Sequence, residues 1–260
     1  MLIAVDIGNT NIVLGVFREN DLIHHWRLGT DFRKTSDEYA VMFHSLFELN
    51  GTDISRIKGA IISSVVPSLN EPVKRALEHL FRIEAMILSC DAGIGLENRY
   101  ERPEEVGMDR LANAVAAVES KGFPVIVVDF GTAVTLDVVD KNGAYAGGII
   151  MPGLGMGADA LFRHTSKLPR ISIEKPRSVL GVNTIGSIQS GLFYGTAGAA
   201  GSLIEKLWKE LGYQTGVIAT GGSAPSLIRE IPHVDDFDPY LILRGLKIIW
   251  SRNSGKETGA

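Results

Sequence analysis

The sequence is most restrictive in what it withholds. It contains one cysteine, Cys90, in 260 residues, which excludes an internal disulfide and a thiolate metal cluster. It has no basic excess: 26 Lys and Arg stand against 30 Asp and Glu, for a net charge of −4. A nucleic-acid footprint is therefore not expected. No apolar run approaches the length of a membrane span, and the N-terminal run meets Asp6 too soon for a signal-peptide core. A cytoplasmic location with no membrane partner is the expectation. There is no G-x-x-x-x-G-K-[ST] stretch, so a P-loop is excluded. The histidines are scattered, with no pair at metal-ligand spacing, and none is assigned to chemistry.

What is present begins with LIAVDIGNTNIVLGVF, residues 2–17. An apolar run meets a carboxylate, then Gly8-Asn9-Thr10, then a second apolar run. A similar stretch, VIVVDFGTAVTLDVV, returns at 125–139. Each reads as a β-meander with an aspartate closing its first strand. The strands are expected near 2–5, 12–17 and 22–28, and again near 125–128, 135–139 and 145–150. Asp6 and Asp129 lie nearly half the chain apart, so the economical reading is an internal duplication.

Helical patterns fill the intervals. Thr35-Ser36-Asp37-Glu38 matches a capping box ahead of an apolar stripe at Tyr39, Met42, Phe43 and Leu46. Asn50-Gly51 should stop that helix. A buried strand is expected over 59–66, with helices over 69–81 and 109–120. Residues 185–211 show a helical period broken by Gly186, Gly191, Gly195, Gly198 and Gly201. Five glycines, at about 1 kcal/mol each relative to alanine, require close approach to another helix, within the fold or across a dimer. A short strand at 217–219 runs into Thr220-Gly221-Gly222, and a helix begins at Ala224. The last helix is expected over 240–250, with the polar tail 251–260 frayed.

The motifs suggest anion chemistry. Ligands of an α/β sheet gather at the carboxyl ends of its strands, where Asp6 and Asp129 fall. The neighbouring glycines admit a phosphate to the backbone, and Thr10 and Thr132 offer hydroxyls. A carboxylate beside a phosphate is repulsive unless a cation intervenes, which points to Mg²⁺ held through water. Gly153-Leu154-Gly155-Met156-Gly157 lacks the spacing of a dinucleotide fingerprint. In EVGMDRLANAV, residues 105–115, Asp109 is either a helix-start carboxylate or a general base. Arg110 has the planar fork of a carboxylate clamp. A helix N-terminus weakens Asp109 as a base, so positioning would have to supply much of its effect. Thr220-Gly221-Gly222 would fit a flat nucleobase against backbone.

Two such meanders in tandem α/β halves resemble the actin/hexokinase/Hsp70-type ATPase superfamily. The series DIGNTN, ENRYERPEEVGMDR, DFGTA, GGIIMPG, KLP, Asn183-Thr184 and ATGG resembles type III pantothenate kinases more closely. The resemblance implies an α/β fold of two tandem actin-like (ribonuclease H-like) domains related by internal duplication, divided at 1–117 and 118–260. It implies ATP-dependent phosphorylation of pantothenate to 4′-phosphopantothenate, the first step toward coenzyme A. Asp6, Ile7, Gly8, Asn9, Thr10, Asn11, Ile12 and Val13 would form the first phosphate loop, with Thr132 binding ATP from the second. Asp129 would help hold a required K⁺ or NH₄⁺, in addition to Mg²⁺. Tyr100, Gly107, Met108, Asp109 and Arg110 would meet pantothenate, with Asp109 taking the proton from its hydroxyl. Thr184 would complete that site, which the family builds across a homodimer. Val182 departs from the basic residue expected between Gly181 and Asn183. The rival expectations are a kinase for another small hydroxy acid or sugar, and a non-catalytic ATP-binding regulator of gene expression.

Overall fold

In a computed structural model, which describes residues 1–90 and 92–254, the chain forms two α/β units. Of the described residues, the first comprises 1–90, 92–96, 100–116 and 241–254; the second comprises residues 97–99 and 117–240. In chain order the elements are β1 (Leu2–Ile7), β2 (Asn11–Arg18), β3 (Asp21–Gly29), α1 (Ser36–Leu49), β4 (Gly59–Ser64), α2 (Pro67–Phe81), β5 (Ala85–Ile87) and β6 (Glu97–Asn98). They continue with α3 (Met108–Lys121), β7 (Val125–Phe130), β8 (Ala133–Val139), β9 (Ala144–Pro152), α4 (Leu154–Arg163) and α5 (Thr184–Leu211). The last are β10 (Gly216–Thr220), α6 (Ala224–Leu227), β11 (Asp236–Phe237) and α7 (Leu241–Ser254).

Among the described residues, the first unit's sheet runs β3-β2-β1-β4-β5 and the second's runs β11-β10-β7-β8-β9-β6. Each contains an antiparallel meander whose first strand gains a parallel neighbour, β4 beside β1 and β10 beside β7. Parallel neighbours need a crossover, supplied by α1 between β3 and β4 and by α4 and α5 between β9 and β10.

Alternation sets the faces. Ile3, Val5 and Ile7 of β1, Ile12, Leu14 and Val16 of β2, and Ala60 and Ile62 of β4 join Tyr39, Phe43 and Phe47 of α1 in one buried core. The α1 entry is the expected capping box: Glu38 N–H donates to Thr35 Oγ1 at 3.3 Å, and Thr35 N–H to Glu38 Oε2 at 2.8 Å. α7 covers the other face. A Cβ on Gly15 would lie 2.7 Å from Leu243 Cδ1, and one on Gly59 would lie 2.3 Å from Trp250 Cζ2. α7 also crosses α3 so closely that a Cβ on Gly245 would fall 1.9 Å from the Ala112 carbonyl oxygen. The division expected at 117/118 grouped this last helix with the second half, but it packs in the first unit. The frayed tail expected over 251–260 is helical as far as Ser254; residues 255–260 lie outside the described residues.

In the second unit, Ile126, Val128, Phe130, Val134, Leu136, Val138, Val217 and Ala219 pack on Phe193, Ala197, Ala200 and Ile204 of α5. The segment dismissed as a dinucleotide fingerprint opens α4, with Gly153 as its N-cap. Three of the five α5 glycines mark no close approach: among the described residues, and apart from the backbone of α5 itself, nothing lies within 4 Å of a Cβ built at Gly191, Gly195 or Gly198, whereas one at Gly201 would meet Ile231 Cγ2 at 3.9 Å.

Candidate active site

In the first unit, β1 delivers Asp6 one residue before its end, and Gly8-Asn9-Thr10 turns into β2. Gly8 N–H donates to the Asn11 carbonyl at 2.9 Å. Thr30 closes the loop from β3, its Oγ1 donating to the Gly8 carbonyl at 2.7 Å and its N–H to the Thr10 carbonyl at 3.0 Å. Asp6, Gly8 and Asn11 are half-buried, whereas Asn9 and Thr10 are exposed. Ile7 and Ile12 point into the core, so within the 6–13 segment they shape the loop and cannot offer side chains to a ligand.

Tyr100 and Gly107 to Arg110 belong to the same unit. The Gly107 carbonyl starts α3 by accepting from Arg110 N–H at 3.1 Å and Leu111 N–H at 3.3 Å. Asp109 Oδ1 accepts from Arg110 N–H at 2.9 Å. The Asp109 carboxylate thus serves the first helical turn and is fixed by it, in keeping with the helix-start reading. Gly107 gives that carboxylate its room, since a Cβ there would lie 2.3 Å from Asp109 Oδ1. Arg110 is only 7% exposed, and a carboxylate ligand meeting a guanidinium out of water binds more strongly than one at the surface.

In the second unit, Asp129 occupies the same place in β7 that Asp6 occupies in β1. Three glycines meet around it and its loop. A Cβ on Gly221 (φ +94°) would stand 2.4 Å from Asp129 Oδ1, and one on Gly131 would stand 3.3 Å away. A Cβ on Gly153 would strike the Thr132 carbonyl oxygen at 2.4 Å. The structure thus brings Asp129, Thr132 and the Thr220-Gly221-Gly222 strand end together. Thr184 opens α5 behind the Asn183 cap, whose Oδ1 accepts Gly186 N–H at 2.8 Å. It is exposed, and so is Val182, at 89%; the second unit alone does not enclose Thr184.

Sequence reasoning missed a buried carboxylate. Asp137 on β8 is fully buried and accepts from Tyr145 OH at 2.6 Å and from Thr135 Oγ1 at 3.0 Å. Thr135 in turn is the register partner of Asp129. The available signal was polar residues at period two, Thr135 and Asp137, in an otherwise apolar strand. Among the described residues no three His, Cys, Asp or Glu side chains converge on a point. Asp6 and Asp129, each half-buried at the end of a central strand, offer carboxylates of the kind that suit Mg²⁺ keeping its waters and its ligand's phosphates.

Comparison with known proteins follows the same lines. A family model described as type III pantothenate kinase matches residues 2–206. A type III pantothenate kinase of Brevibacillus brevis is 46% identical over 253 residues, covering 97% of this chain and 99% of the relative. One of Koribacter versatilis is 44% identical over 97% of this chain and 96% of the relative. Among solved structures, (R)-2-hydroxyglutaryl-CoA dehydratase component A of Acidaminococcus fermentans superposes with a TM-score of 0.56 at 14% identity, covering 99% of this chain and 98% of that one. A Campylobacter jejuni protein provisionally described as a Baf family transcriptional activator gives 0.57 at 21% identity, covering 97% of this chain and 99% of that one. At these identities the two structures share only the fold.

Proposed function

The chain belongs to the type III pantothenate kinase family, and on that premise we propose how its residues divide the work. The reaction is transfer of the γ-phosphoryl group of ATP to the terminal hydroxyl of pantothenate, giving 4′-phosphopantothenate and ADP in the first step of coenzyme A biosynthesis. Phosphoryl transfer of this kind asks a protein mainly for positioning and charge stabilisation.

In our assignment Asp6 to Val13 form the first phosphate loop, whose backbone and Thr10 receive the phosphates. Asp6 faces them through a hydrated Mg²⁺, which would offset the charge of the phosphates. Thr132 binds ATP from the second loop. Asp129, ringed by Gly131 and Gly221, helps hold K⁺ or NH₄⁺. Arg110 pairs with the pantothenate carboxylate, helped by Tyr100, Gly107 and Met108. Asp109 accepts the hydroxyl proton as the phosphoryl group moves. The observation that carries this last role is the fixed Asp109 carboxylate, held by Arg110 N–H at 2.9 Å in space that only a glycine at 107 leaves open.

The homodimer is part of the same proposal. Thr184 belongs to the pantothenate site yet stands exposed, and Val179, Leu180, Val182 and Ile185 around it are at least half exposed. Exposed apolar residues flanking the start of a helix with an open glycine face support pairing with a second copy. The common sheet order of the two units supports their origin as actin-like halves by internal duplication. ADP release with and without pantothenate, in K⁺ and then Na⁺ buffer, tests the reading. Release should need both pantothenate and K⁺; equal release with another hydroxy acid or sugar would favour the rival kinase, and release independent of K⁺ would remove the role given to Asp129.

A further inference from the structure

A buried hydroxyl normally finds a partner, because leaving it without one forfeits its hydration for nothing. Ser63 of β4 is fully buried, and its Oγ has no hydrogen-bond partner among the described residues. Its neighbour Ser64 behaves ordinarily, accepting from Val66 N–H at 3.0 Å. The register gives the orphaned hydroxyl an address. In the parallel pair of β1 and β4, Ser63 is aligned with Asp6, so the two side chains leave the same face of adjacent strands about 4.8 Å apart.

The second unit repeats this placement. Thr220 of β10 is aligned with Asp129 of β7 in the same parallel relation, and it is 3% exposed. Each aspartate at the end of a central strand therefore has a buried hydroxyl residue beside it on the next parallel strand. Apolar side chains otherwise prevail along these strands, so filling space does not call for a hydroxyl at both positions.

We propose that Ser63 is a positioning residue for Asp6. When Mg²⁺–ATP is bound, Ser63 Oγ donates to the Asp6 carboxylate, directly or across one water, and fixes which carboxylate oxygen faces the ligand. Being fully buried, Ser63 touches no substrate; it acts through Asp6. The inference rests on the reading of Asp6 as the carboxylate beside Mg²⁺–ATP. It accounts for an unpaired buried hydroxyl as a donor held for the liganded state, its penalty borne by the empty protein.

The test separates this from a packing role because the two effects run in opposite directions. Ser63→Ala removes the orphaned oxygen and nothing else, so the ligand-free protein should melt at an unchanged temperature or about 2–4 °C higher. Mg²⁺–ATP binding by calorimetry should weaken about tenfold, the worth of one hydrogen bond to a charged group. A weakened Kd with an unchanged or raised melting temperature supports the proposal. A Kd within twofold of wild type overturns it, as does a fall in both stability and affinity, which would mean simple damage to the fold. If the wild-type protein itself fails to bind Mg²⁺–ATP, the reading of Asp6 fails first.

Discussion

Asp6 and Asp129 stand at equivalent points of two sheets, and their surroundings differ in one informative way. Around Asp6 the loop is closed by backbone, Thr30 N–H to the Thr10 carbonyl, and also by a side chain, Thr30 Oγ1 reaching the Gly8 carbonyl. Around Asp129 it is closed by backbone: Gly221 and Gly153 press in where any Cβ would collide with the Asp129 carboxylate or the loop carbonyls. In the proposed assignment the hydroxyl-closed loop, with Asn9 and Thr10 exposed at its turn, is the one that meets the phosphates. In the same assignment the glycine-lined loop after Asp129 takes the small cation. On that assignment one strand geometry serves opposite charges according to what closes the loop after the aspartate.

The largest expected break in the comparison is chemical. Asp109→Asn in the first unit should lower kcat by about 10²- to 10⁴-fold while Mg²⁺–ATP affinity measured by calorimetry stays within threefold. Asp129→Asn in the second should instead abolish the response of the rate to K⁺. A near-normal kcat for Asp109→Asn would remove its assignment as base.

The second break compares the two loops directly. Alanine at Gly221 would carry a φ of +94° and a Cβ 2.4 Å from Asp129 Oδ1 and 2.6 Å from the Phe130 carbonyl carbon. Urea unfolding should show a loss of about 1–3 kcal/mol. Alanine at Gly8 meets only the Asn11 carbonyl oxygen at 3.1 Å, and should cost less than about 1 kcal/mol. Equal losses would mean that the two loops are closed alike after all.

Much of the pattern behind these contrasts is legible in the sequence, and the reason is local. Meander strands are adjacent in the chain, so alternation and turn residues suffice for β1–β3 and β7–β9. The α1 capping box is a four-residue signal. What could not be read depends on partners far away in sequence. Ser63 sits beside Asp6 only because β4 pairs with β1 after a helical crossover, and SSVVP in isolation is an unremarkable strand end. Gly221 gains its meaning from Asp129, and Gly245 from Ala112. The Gly153 to Gly157 stretch was judged by its glycine spacing, when the physical question was why a helix should begin there; Gly153 is the residue that lets it begin against the Thr132 carbonyl. The five glycines of α5 were read as contacts, and within the second unit three of them meet nothing.

Those three glycines set the next prediction, because the buried stripe of α1 has no such open counterpart. Leucine at Gly195 is the better helix former by up to about 1 kcal/mol, and among the described residues outside the backbone of α5 its Cβ meets nothing within 4 Å. The variant should fold at least as stably as wild type and, on the proposed homodimer through this face, sediment as a monomer where wild type sediments as a dimer. A Gly195→Leu protein that remains dimeric would move the interface away from this face of α5.

The smallest effect concerns how the outer strands are tied down. β11 is held by an ion pair, Asp236 Oδ2 to Lys121 Nζ at 2.7 Å, whereas β5 is held at Ala85 N–H by Glu78 Oε1 at 3.2 Å. The Lys121 hydrogen bond, followed by the Phe237 N–H, lowers the Asp236 pKa below its ordinary value. A carboxyl with a depressed folded pKa stabilises the fold above its unfolded pKa, near 4, and loses that contribution as pH falls through the folded value. Both side chains are more than a third exposed, so screening limits the pair to about 0.5 kcal/mol. Asp236→Asn should therefore lower the melting temperature slightly at pH 7 and match wild type once the pH is below the folded pKa of Asp236. A variant that stays less stable than wild type in acid would show that β11 depends on the geometry of Asp236, with its oxygen accepting Phe237 N–H, and not on its charge.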